Sequence, residues 1–239
     1  MRSTEGANAF VLALDAGASK ALSSARAVVD SLKAPSGGKK GELVSRKWRF
    51  HAESPNWKSD IRWVSAADTS TFDNLFQPLF DKLAVAEHFR FLGDMVMFSG
   101  FFVLRKETKK SHFHKDFGDT GNKAFTMMIP LCDMSALSDC HLLCRVPSSS
   151  AEPPADTADE PLIVTKQYRY KCGEEAIVFG DGFEHATETG LAPSQLSFLC
   201  FTFGDRKCTD EQWKAAEGYI SEQGPIYRDP SGRFAGSGV

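Results

Sequence analysis

Two histidines and one aspartate carry the clearest chemical signal in the sequence. His114 and Asp116 have the spacing H-x-D, and His185 follows much later in the chain. Residues i and i+2 of a strand share one face, so the side chains of His114 and Asp116 can bind one ion. Two histidines and one carboxylate are the facial ligand set that holds Fe(II) and leaves coordination positions open. The sequence therefore predicts a metal site to which a neighbouring strand brings His185.

The H-x-D spacing has little specificity by itself. With six histidines and 31 acidic residues among 239, matches to so short a motif arise easily by chance. Residues 51–53 (HAE) form a second match, but Ser-Pro-Asn-Trp follows it and no strand-like run flanks it. We interpret His51 as a loop residue. His114 has better context, because strand-like runs precede it at 95–105 and follow it at 124–131.

From residue 95 onward the sequence consists of short runs rich in aromatic and β-branched residues, which are typical of strands. The runs are 95–105, 124–131, 141–146, 162–170, 175–179 and 195–203. Several short strands separated by loops predict a sandwich or barrel. Residues 147–161 are rich in Pro, Ser and acidic residues and have almost nothing to bury, which predicts a mobile loop.

Apolar residues at helical spacing flank the strand-rich part. They recur at threes and fours over 9–33, which predicts one helix ending at the Pro/Gly cluster of residues 34–40. The clearest periodicity, over 72–83, predicts a second helix, and 210–222 predict a third with Trp213 as its anchor. We expect the helices to cover a sheet.

These patterns divide the chain into three parts. We predict an N-terminal helical layer over residues 1–93, packed on a strand-rich core over 94–208. Residues 209–239 then form a C-terminal helix and tail. The core holds every candidate metal ligand.

Composition excludes several classes of protein. The chain has 28 basic and 31 acidic residues, a formal charge of −3, which argues against a general nucleic-acid binder. No run approaches the roughly 18 to 20 apolar residues of a membrane-spanning helix, so no integral membrane association is expected. We expect a cytoplasmic protein, although residues 1–40 are rich in Ala and Ser and poor in acids, as transit segments for organelle import can be.

One longer segment resembles a known family. Residues 172–185 (CGEEAIVFGDGFEH) contain a glycine, an apolar strand, an aspartate, a phenylalanine and then His185. This order resembles the Fe(II)/2-oxoglutarate-dependent oxygenases, closest to the aspartyl/asparaginyl β-hydroxylase-like and phytanoyl-CoA-hydroxylase-like branches. Residues 125–133 (FTMMIPLCD) resemble the strand that follows H-x-D in both branches. The resemblance covers about residues 95–205.

The resemblance implies a fold and an activity. The fold would be mainly β with added helices, a double-stranded β-helix (jelly-roll, cupin-like) barrel. His114 and Asp116 would be the proximal ligands of Fe(II) and His185 the distal one, with 2-oxoglutarate as co-substrate and O₂ as oxidant. The activity would hydroxylate or desaturate an unactivated C–H bond, releasing succinate and CO₂. The substrate, a small molecule or a peptide, stays open.

The sequence departs from the family where 2-oxoglutarate would bind. These families usually place an arginine about ten residues beyond the distal histidine, often as R-x-S, whereas this chain has Gln195-Leu196-Ser197. A buried carboxylate without a cation is destabilising, so a neutral amide is a poor substitute by itself. Gln195 and Ser197 share one strand face and could still donate hydrogen bonds to that carboxylate.

Another basic residue could replace the missing arginine. Lys123 is the first candidate, because it opens the strand after the loop, near the place where some relatives keep a second cation. Arg105, on the preceding strand, is the second. Arg145 and Arg206 remain open.

Two other classes of function stay open. A cupin uses a similar barrel with a different ligand set, and His112, His114, Asp119 and His185 nearly match its pattern, which would give a metal-dependent lyase, isomerase or oxygenase. Asp116 discriminates, because only the oxygenase needs it for iron. The other class is a non-catalytic binding module that kept the barrel, as the missing arginine would suggest.

Overall fold

A computed structural model describes residues 2–3, 8–32, 42–53, 61–148 and 162–235. Most of the predicted loop 147–161 lies outside these residues, as does part of the segment 1–40. The described elements, in chain order, are β1 (Arg2–Ser3), β2 (Ala9–Ala13), α1 (Ala16–Ala21), α2 (Ser23–Ser31), β3 (Trp48–Glu53), β4 (Ile61–Ala66), α3 (Thr69–Lys82), α4 (Val85–His88), β5 (Met95–Thr108), β6 (Ala124–Pro130), β7 (Leu142–Pro147), β8 (Ile163–Tyr168), β9 (Glu175–Phe179), β10 (His185–Thr187), β11 (Gly190–Asp205) and α5 (Asp210–Gln223).

The described strands form two antiparallel sheets. The larger sheet has eight strands in the order β1-β2-β9-β6-β11-β5-β4-β3, and the smaller has three in the order β10-β7-β8. One apolar cluster contains buried side chains of both sheets, such as Val103 and Phe198 from the large sheet and Leu142 from the small one. The two sheets therefore enclose a common core.

The central strand β11 is buried on both faces. Its side chains alternate, so Phe198 and Cys200 join the core between the sheets, whereas Leu199 and Phe201 join a second core beneath the helices. Burial on both faces explains why the run at 195–203 is almost continuously apolar rather than alternating. One face of β11 therefore packs against the small sheet, and the other packs against the helices.

Helix α3 confirms the second predicted helix and packs closely on the sheet. The Asp68 side chain accepts a hydrogen bond from the Thr71 amide at 2.7 Å and caps the N-terminus. Phe72 and Phe76 are fully buried in the core beneath the helices. A Cβ atom on Gly100 would lie 2.7 Å from the Phe76 ring, so glycine allows the close approach of α3 to β5.

The prediction of one helix over 9–33 was wrong at its beginning. Residues 9–13 form β2, which pairs with β9 and places Phe10 opposite Val178. The helical part begins only at Ala16, after Asp15, whose side chain accepts from the Ala18 amide at 2.7 Å. Apolar residues spaced at threes and fours fit both structures over so short a run, and pairing with β9 selected the strand.

The N-terminal part also contributes strands that the periodicity did not predict. It supplies α1 to α4, but β2, β3 and β4 extend the large sheet on both sides. His51 lies on β3 rather than in a loop, and its Nε2 atom lies 2.8 Å from the carbonyl oxygen of Ser221 in α5. The division of the chain at residues 93 and 208 stays a prediction.

The other predicted strands are confirmed with shifted ends. The run 175–179 matches β9, whereas β5 continues to Thr108 and β11 begins at Gly190. The C-terminal helix α5 is confirmed, and Thr209 and Gln212 form a capping box at its start. Across the described residues, every helix is too short or too polar to cross a lipid bilayer.

Candidate metal centre

The structure brings His114, Asp116 and His185 together. One possible ligand atom from each lies within 4.8 Å of the other two. The Nε2 atoms of His114 and His185 lie 3.6 and 3.7 Å from the same Asp116 Oδ1 atom. Metal–nitrogen bonds are about 2 Å long, so two donors to one ion can be at most about 4 Å apart. Both of these distances meet that limit.

Backbone pairing fixes the two histidines opposite each other. The His114 amide donates to the His185 carbonyl at 2.9 Å, and the His185 amide donates back at 2.9 Å. This isolated antiparallel bridge joins the segment after β5 to the start of β10. His185 thus reaches the H-x-D segment from a neighbouring strand.

The second ring nitrogen of each histidine points toward a backbone carbonyl. His114 Nδ1 lies 3.0 Å from the carbonyl oxygen of His112, and His185 Nδ1 lies 3.3 Å from that of Phe183. A carbonyl only accepts, so each Nδ1 carries the proton, and each Nε2 keeps a lone pair on the side of Asp116. Carbonyl contacts of this kind orient metal-binding imidazoles.

Burial favours the neutral, metal-binding form of His185. Its side chain is 5% exposed, that of Asp116 is 8% exposed, and that of His114 is 41% exposed. Burial lowers the pKa of His185 to about 4, because the loss of solvation of the imidazolium outweighs the attraction of Asp116. The rings of Phe179 and Phe183 flank His185, with centroids 4.4 and 5.7 Å away.

Asp181 fastens together the two loops that carry the candidate ligands. Its carboxylate accepts from the Thr120 amide at 2.6 Å, the Thr120 hydroxyl at 2.5 Å and the Asn122 amide at 2.8 Å. Thr120 and Asn122 lie in the loop after Asp116, whereas Asp181 lies in the turn before His185. The carboxylate therefore fixes one ligand loop relative to the other.

The three residues line a pocket of about 350 Å³. Its walls come from strands of both sheets and from the C-terminal helix. They include Ile61, Trp63, Phe101, Val103, Arg105, Thr126, Met128, Leu142, Thr187, Cys200, Tyr219, Glu222 and Gln223.

Arg105 is a buried cation in this pocket. It is only 4% exposed, and it donates to the Thr187 hydroxyl at 2.7 Å and to the Cys140 carbonyl at 2.6 Å. Its guanidinium lies 4.6 Å from the ring centroid of Phe198. Among the described residues, its Nε has no hydrogen-bond partner and no carboxylate forms an ion pair with it. A buried cation of this kind is costly unless an anion binds beside it.

The structure does not bring the other candidate cations into the pocket. Lys123 binds the buried Asp205 carboxylate at 2.6 Å. The remaining two arginines pair with surface acids, Arg145 with Glu184 at 2.7 Å and Arg206 with Asp94 at 3.2 Å. Each of these cations therefore already neutralises a carboxylate. The sequence alone did not predict these ion pairs.

Gln195 and Ser197 do not line the pocket either. Gln195 is exposed, and Ser197 lies on the opposite face of β11 from Phe198. Leu196 and Phe198 belong to the core between the sheets, so strand alternation directs Ser197 away from it. Its amide and carbonyl face Leu131 and Cys132 instead.

The alternative ligand set of a cupin is not assembled. His112 lines the pocket, but its ring centroid is 6.2 Å from that of His114. Asp119 accepts from the Gly121 amide at 3.1 Å within its own loop. Across the described residues, the cluster suited to one ion consists of His114, Asp116 and His185.

The sequence did not indicate that α5 would form one wall of the pocket. Tyr219, Glu222 and Gln223 reach it from the C-terminal helix. Their spacing predicts a helix, but no pattern in the sequence specifies the strand against which that helix packs. Trp63 and Thr126 were likewise indistinguishable from ordinary strand residues.

No family model matches the chain, and no curated protein matches its sequence. Solved structures do match. HygX from Streptomyces hygroscopicus, with nickel and 2-oxoglutarate bound, is 13% identical at a TM-score of 0.54, over 84% of both chains. The epimerase SnoN, in complex with Fe3+, alpha ketoglutarate and nogalamycin RO, is 15% identical at 0.56, over 84% of this chain and 80% of its own.

A third match is a 2OG-Fe(II) oxygenase family oxidoreductase from Burkholderia pseudomallei. It is 13% identical at a TM-score of 0.52, over 85% of this chain and 93% of its own. Identities this low show a shared fold. The predicted jelly-roll, double-stranded β-helix fold is thereby confirmed.

Proposed function

We propose that the chain is a non-haem Fe(II)- and 2-oxoglutarate-dependent oxygenase. It hydroxylates or desaturates an unactivated C–H bond and releases succinate and CO₂. The observation that carries the proposal is one pocket in which His114, Asp116 and His185 converge and Arg105 lies buried without an anionic partner. The ligands bound to HygX and SnoN, which share the fold, support it.

The three side chains fit Fe(II). Two imidazole nitrogens and one carboxylate are the ligand set of the facial triad, which leaves positions open toward the pocket. Fe(II) bound there would supply the oxidation by O₂ that is coupled to decarboxylation of 2-oxoglutarate. The protein keeps both Nε2 lone pairs available through the carbonyls of His112 and Phe183. It also keeps His185 neutral by burial.

Arg105 binds the remote carboxylate of 2-oxoglutarate in this proposal. On β11 the family's usual arginine position is occupied by Gln195, and the next residue, Leu196, pairs directly with Arg105 of β5. The cation thus occupies nearly the same level of the sheet, one strand away. A guanidinium can donate two parallel hydrogen bonds to a carboxylate.

The surroundings of Arg105 favour a strong ion pair. Phe198, Val103 and Leu142 are buried around this end of the pocket. Apolar walls exclude water, so an anion here is attracted more strongly than at the surface. Thr187 and the Cys140 carbonyl hold the guanidinium in one orientation before the anion binds.

The proposal also includes the division of the chain, its location in the cell and the kind of substrate. We place the catalytic core at residues 94–208, with 1–93 packed against it and 209–239 after it. We also propose a cytoplasmic location, with organelle import as the alternative. A small-molecule substrate is favoured by the size of the pocket, whose volume lies near the lower end of the range for small-ligand sites.

Succinate formation tests the proposed class without a known substrate. Purified protein supplied with Fe(II), ascorbate, O₂ and 2-oxoglutarate should form succinate slowly by uncoupled turnover. His185→Ala should abolish it, because the buried ligand is lost. Arg206→Gln is the matched control and should retain the wild-type rate, since this exposed arginine lies outside the pocket and pairs with Asp94. No succinate from the wild type, or equal rates in His185→Ala, would contradict the proposal.

A further inference from the structure

The pocket has a second end, away from Arg105, where the C-terminal helix forms one wall. Tyr219, Glu222 and Gln223 of α5 line it, together with Phe101 of β5. Nothing in the binding of Fe(II) or 2-oxoglutarate uses these side chains. They form the part of the pocket that remains for a substrate.

Helix α5 is held firmly in this place. Trp213 packs on Phe98 of β5 with ring centroids 4.9 Å apart, and Ile220 is fully buried. Ile220 shares an apolar cluster with Phe117, the residue directly after the candidate ligand Asp116. The helix therefore has a fixed position relative to the metal site.

Two polar atoms at this end lack partners. Thr126 is 2% exposed and lines the pocket, and its Oγ1 atom has no hydrogen-bond partner among the described residues. Gln223 also lines the pocket, and its Oε1 atom is buried and has no hydrogen-bond partner among the residues that the structure describes. Buried polar atoms are nearly always hydrogen-bonded, so exceptions in a pocket wall point to a ligand.

These atoms are too far from Arg105 to serve the same end of 2-oxoglutarate. Arg105 pairs with Leu196 of β11, and Thr126 pairs with Thr202 of the same strand. Six residues of strand span about 20 Å. A five-carbon diacid is about as long as two extended residues, roughly 7 Å. Thr126 and Arg105 therefore do not bind the same carboxylate.

The buried side chains at this end of the pocket are uncharged. Thr126 and Gln223 are neutral, and apolar Phe101 supplies a further contact. The charged residues near the opening have both signs, with Glu222 on α5 and two lysines on the segment after β5, Lys110 and Lys115. All three of these charged side chains are exposed, whereas the buried polar atoms at this end, Thr126 Oγ1 and Gln223 Oε1, carry no charge, so the subsite recognises an uncharged group.

We infer that Thr126 and Gln223 are specificity-determining residues of a substrate subsite, an inference that rests on the proposed function. The substrate is a small uncharged molecule with an apolar face and a hydroxyl group near the reacting C–H bond. The apolar face packs on Phe101, and the hydroxyl pairs with Thr126 and Gln223. An apolar molecule would leave both polar atoms unpaired, so the subsite rejects it.

A matched pair of fluorinated probes tests this subsite. 4-Fluorobenzyl alcohol and its methyl ether have the same apolar ring, but only the alcohol can donate a hydrogen bond. We would record ¹⁹F NMR line broadening of each probe with the full chain, Zn²⁺ in place of Fe(II), and 2-oxoglutarate. The alcohol should broaden at least fivefold more than the ether. Replacing Zn²⁺ with paramagnetic Co²⁺ should broaden it further, because the subsite adjoins the metal.

Two variants and one control assign the effect to particular side chains. Thr126→Val and Gln223→Leu should each reduce broadening by the alcohol at least fivefold. Thr202→Val is the control, because its hydroxyl is also buried and unpaired among the described residues but does not line the pocket. It should bind the alcohol as the wild type does. Thermal unfolding midpoints would identify any variant that fails to fold.

The outcomes separate the subsite from the proposed function. Equal broadening by alcohol and ether, no broadening by either, or wild-type broadening in both Thr126→Val and Gln223→Leu would overturn the subsite. Absence of succinate from the wild type with Fe(II), alongside selective binding of the alcohol, would contradict the oxygenase and leave the subsite standing.

Discussion

The two ends of the pocket are built from different parts of the chain. The Arg105 end consists of paired strands, and its cation is held by Thr187 and a backbone carbonyl. The other end is closed by α5, which carries Tyr219 and Gln223 and packs onto the sheet from outside. An end made of hydrogen-bonded strands is fixed by their register, whereas a helix packed on a sheet can change its contact residues without disturbing the sheet. The first arrangement suits an invariant co-substrate and the second suits a particular substrate.

Of the predicted changes, loss of the metal site should have the largest effect on both ends of the pocket. Asp116→Ala should weaken Co²⁺ binding by more than about 100-fold, beyond the 10–100-fold cost of losing an outer-shell partner. The reason is that its carboxylate lies between the two Nε2 atoms. Titration of the Co²⁺ absorption bands measures the affinity. His112→Ala is the control, and a larger loss there than in Asp116→Ala would favour the cupin ligand set.

A change at Arg105 should separate the two ends. Arg105→Gln should raise the Kd for 2-oxoglutarate at least about 30-fold, because losing one partner of a buried charge pair costs about 2 kcal/mol or more. At saturating 2-oxoglutarate, binding of 4-fluorobenzyl alcohol should stay unchanged. Calorimetric titration of the Zn²⁺-loaded protein gives the Kd. An unchanged Kd would remove Arg105 from the co-substrate site, and Arg206→Gln provides the baseline.

A smaller effect should follow from loosening the two ligand loops. Asp181→Asn keeps the size of the side chain but replaces one accepting oxygen with a donor, which disrupts its contacts with Thr120 and Asn122. Metal affinity should fall about tenfold, as for other outer-shell changes. The Co²⁺ titration checks this, with Asp119→Asn in the same loop as control. Equal losses in the two variants would mean that Asp181 has no special role in positioning the ligands.

Local patterns account for much of what could be predicted. Short aromatic and β-branched runs identified the strands of the core, and the regular spacing from Phe72 to Leu83 identified α3. Residues 9–13 were placed wrongly because the run is short and its partner strand β9 is distant in sequence. His51 was placed wrongly for a different reason, because it lies at an irregularity in the pairing of β3 with the nearby strand β4. Pairing with a distant strand overrides local periodicity.

Local patterns likewise predict one part of the candidate site, whereas contacts between distant residues decide the rest. His114 and Asp116 could be predicted from their residue types and the H-x-D spacing, and the segment before His185 has a recognisable order. The expected strand face was wrong, because His114 forms only an isolated bridge and Asp116 lies in a bend after β5. Lys123 was the first candidate cation, but Asp205, far away in sequence, holds it. Arg105 became the stronger candidate only when the pairing of β5 with β11 placed it beside Leu196.

The sequence by itself determined the types of the metal ligands, most strands of the core and helix α3, because these depend on residue type and on spacings of two to four residues. The tertiary structure alone decided which cation enters the pocket and which helix closes it. Those outcomes depend on the register between strands about ninety residues apart and on the docking of α5. Contacts between residues so far apart in the sequence produce no periodic pattern in it.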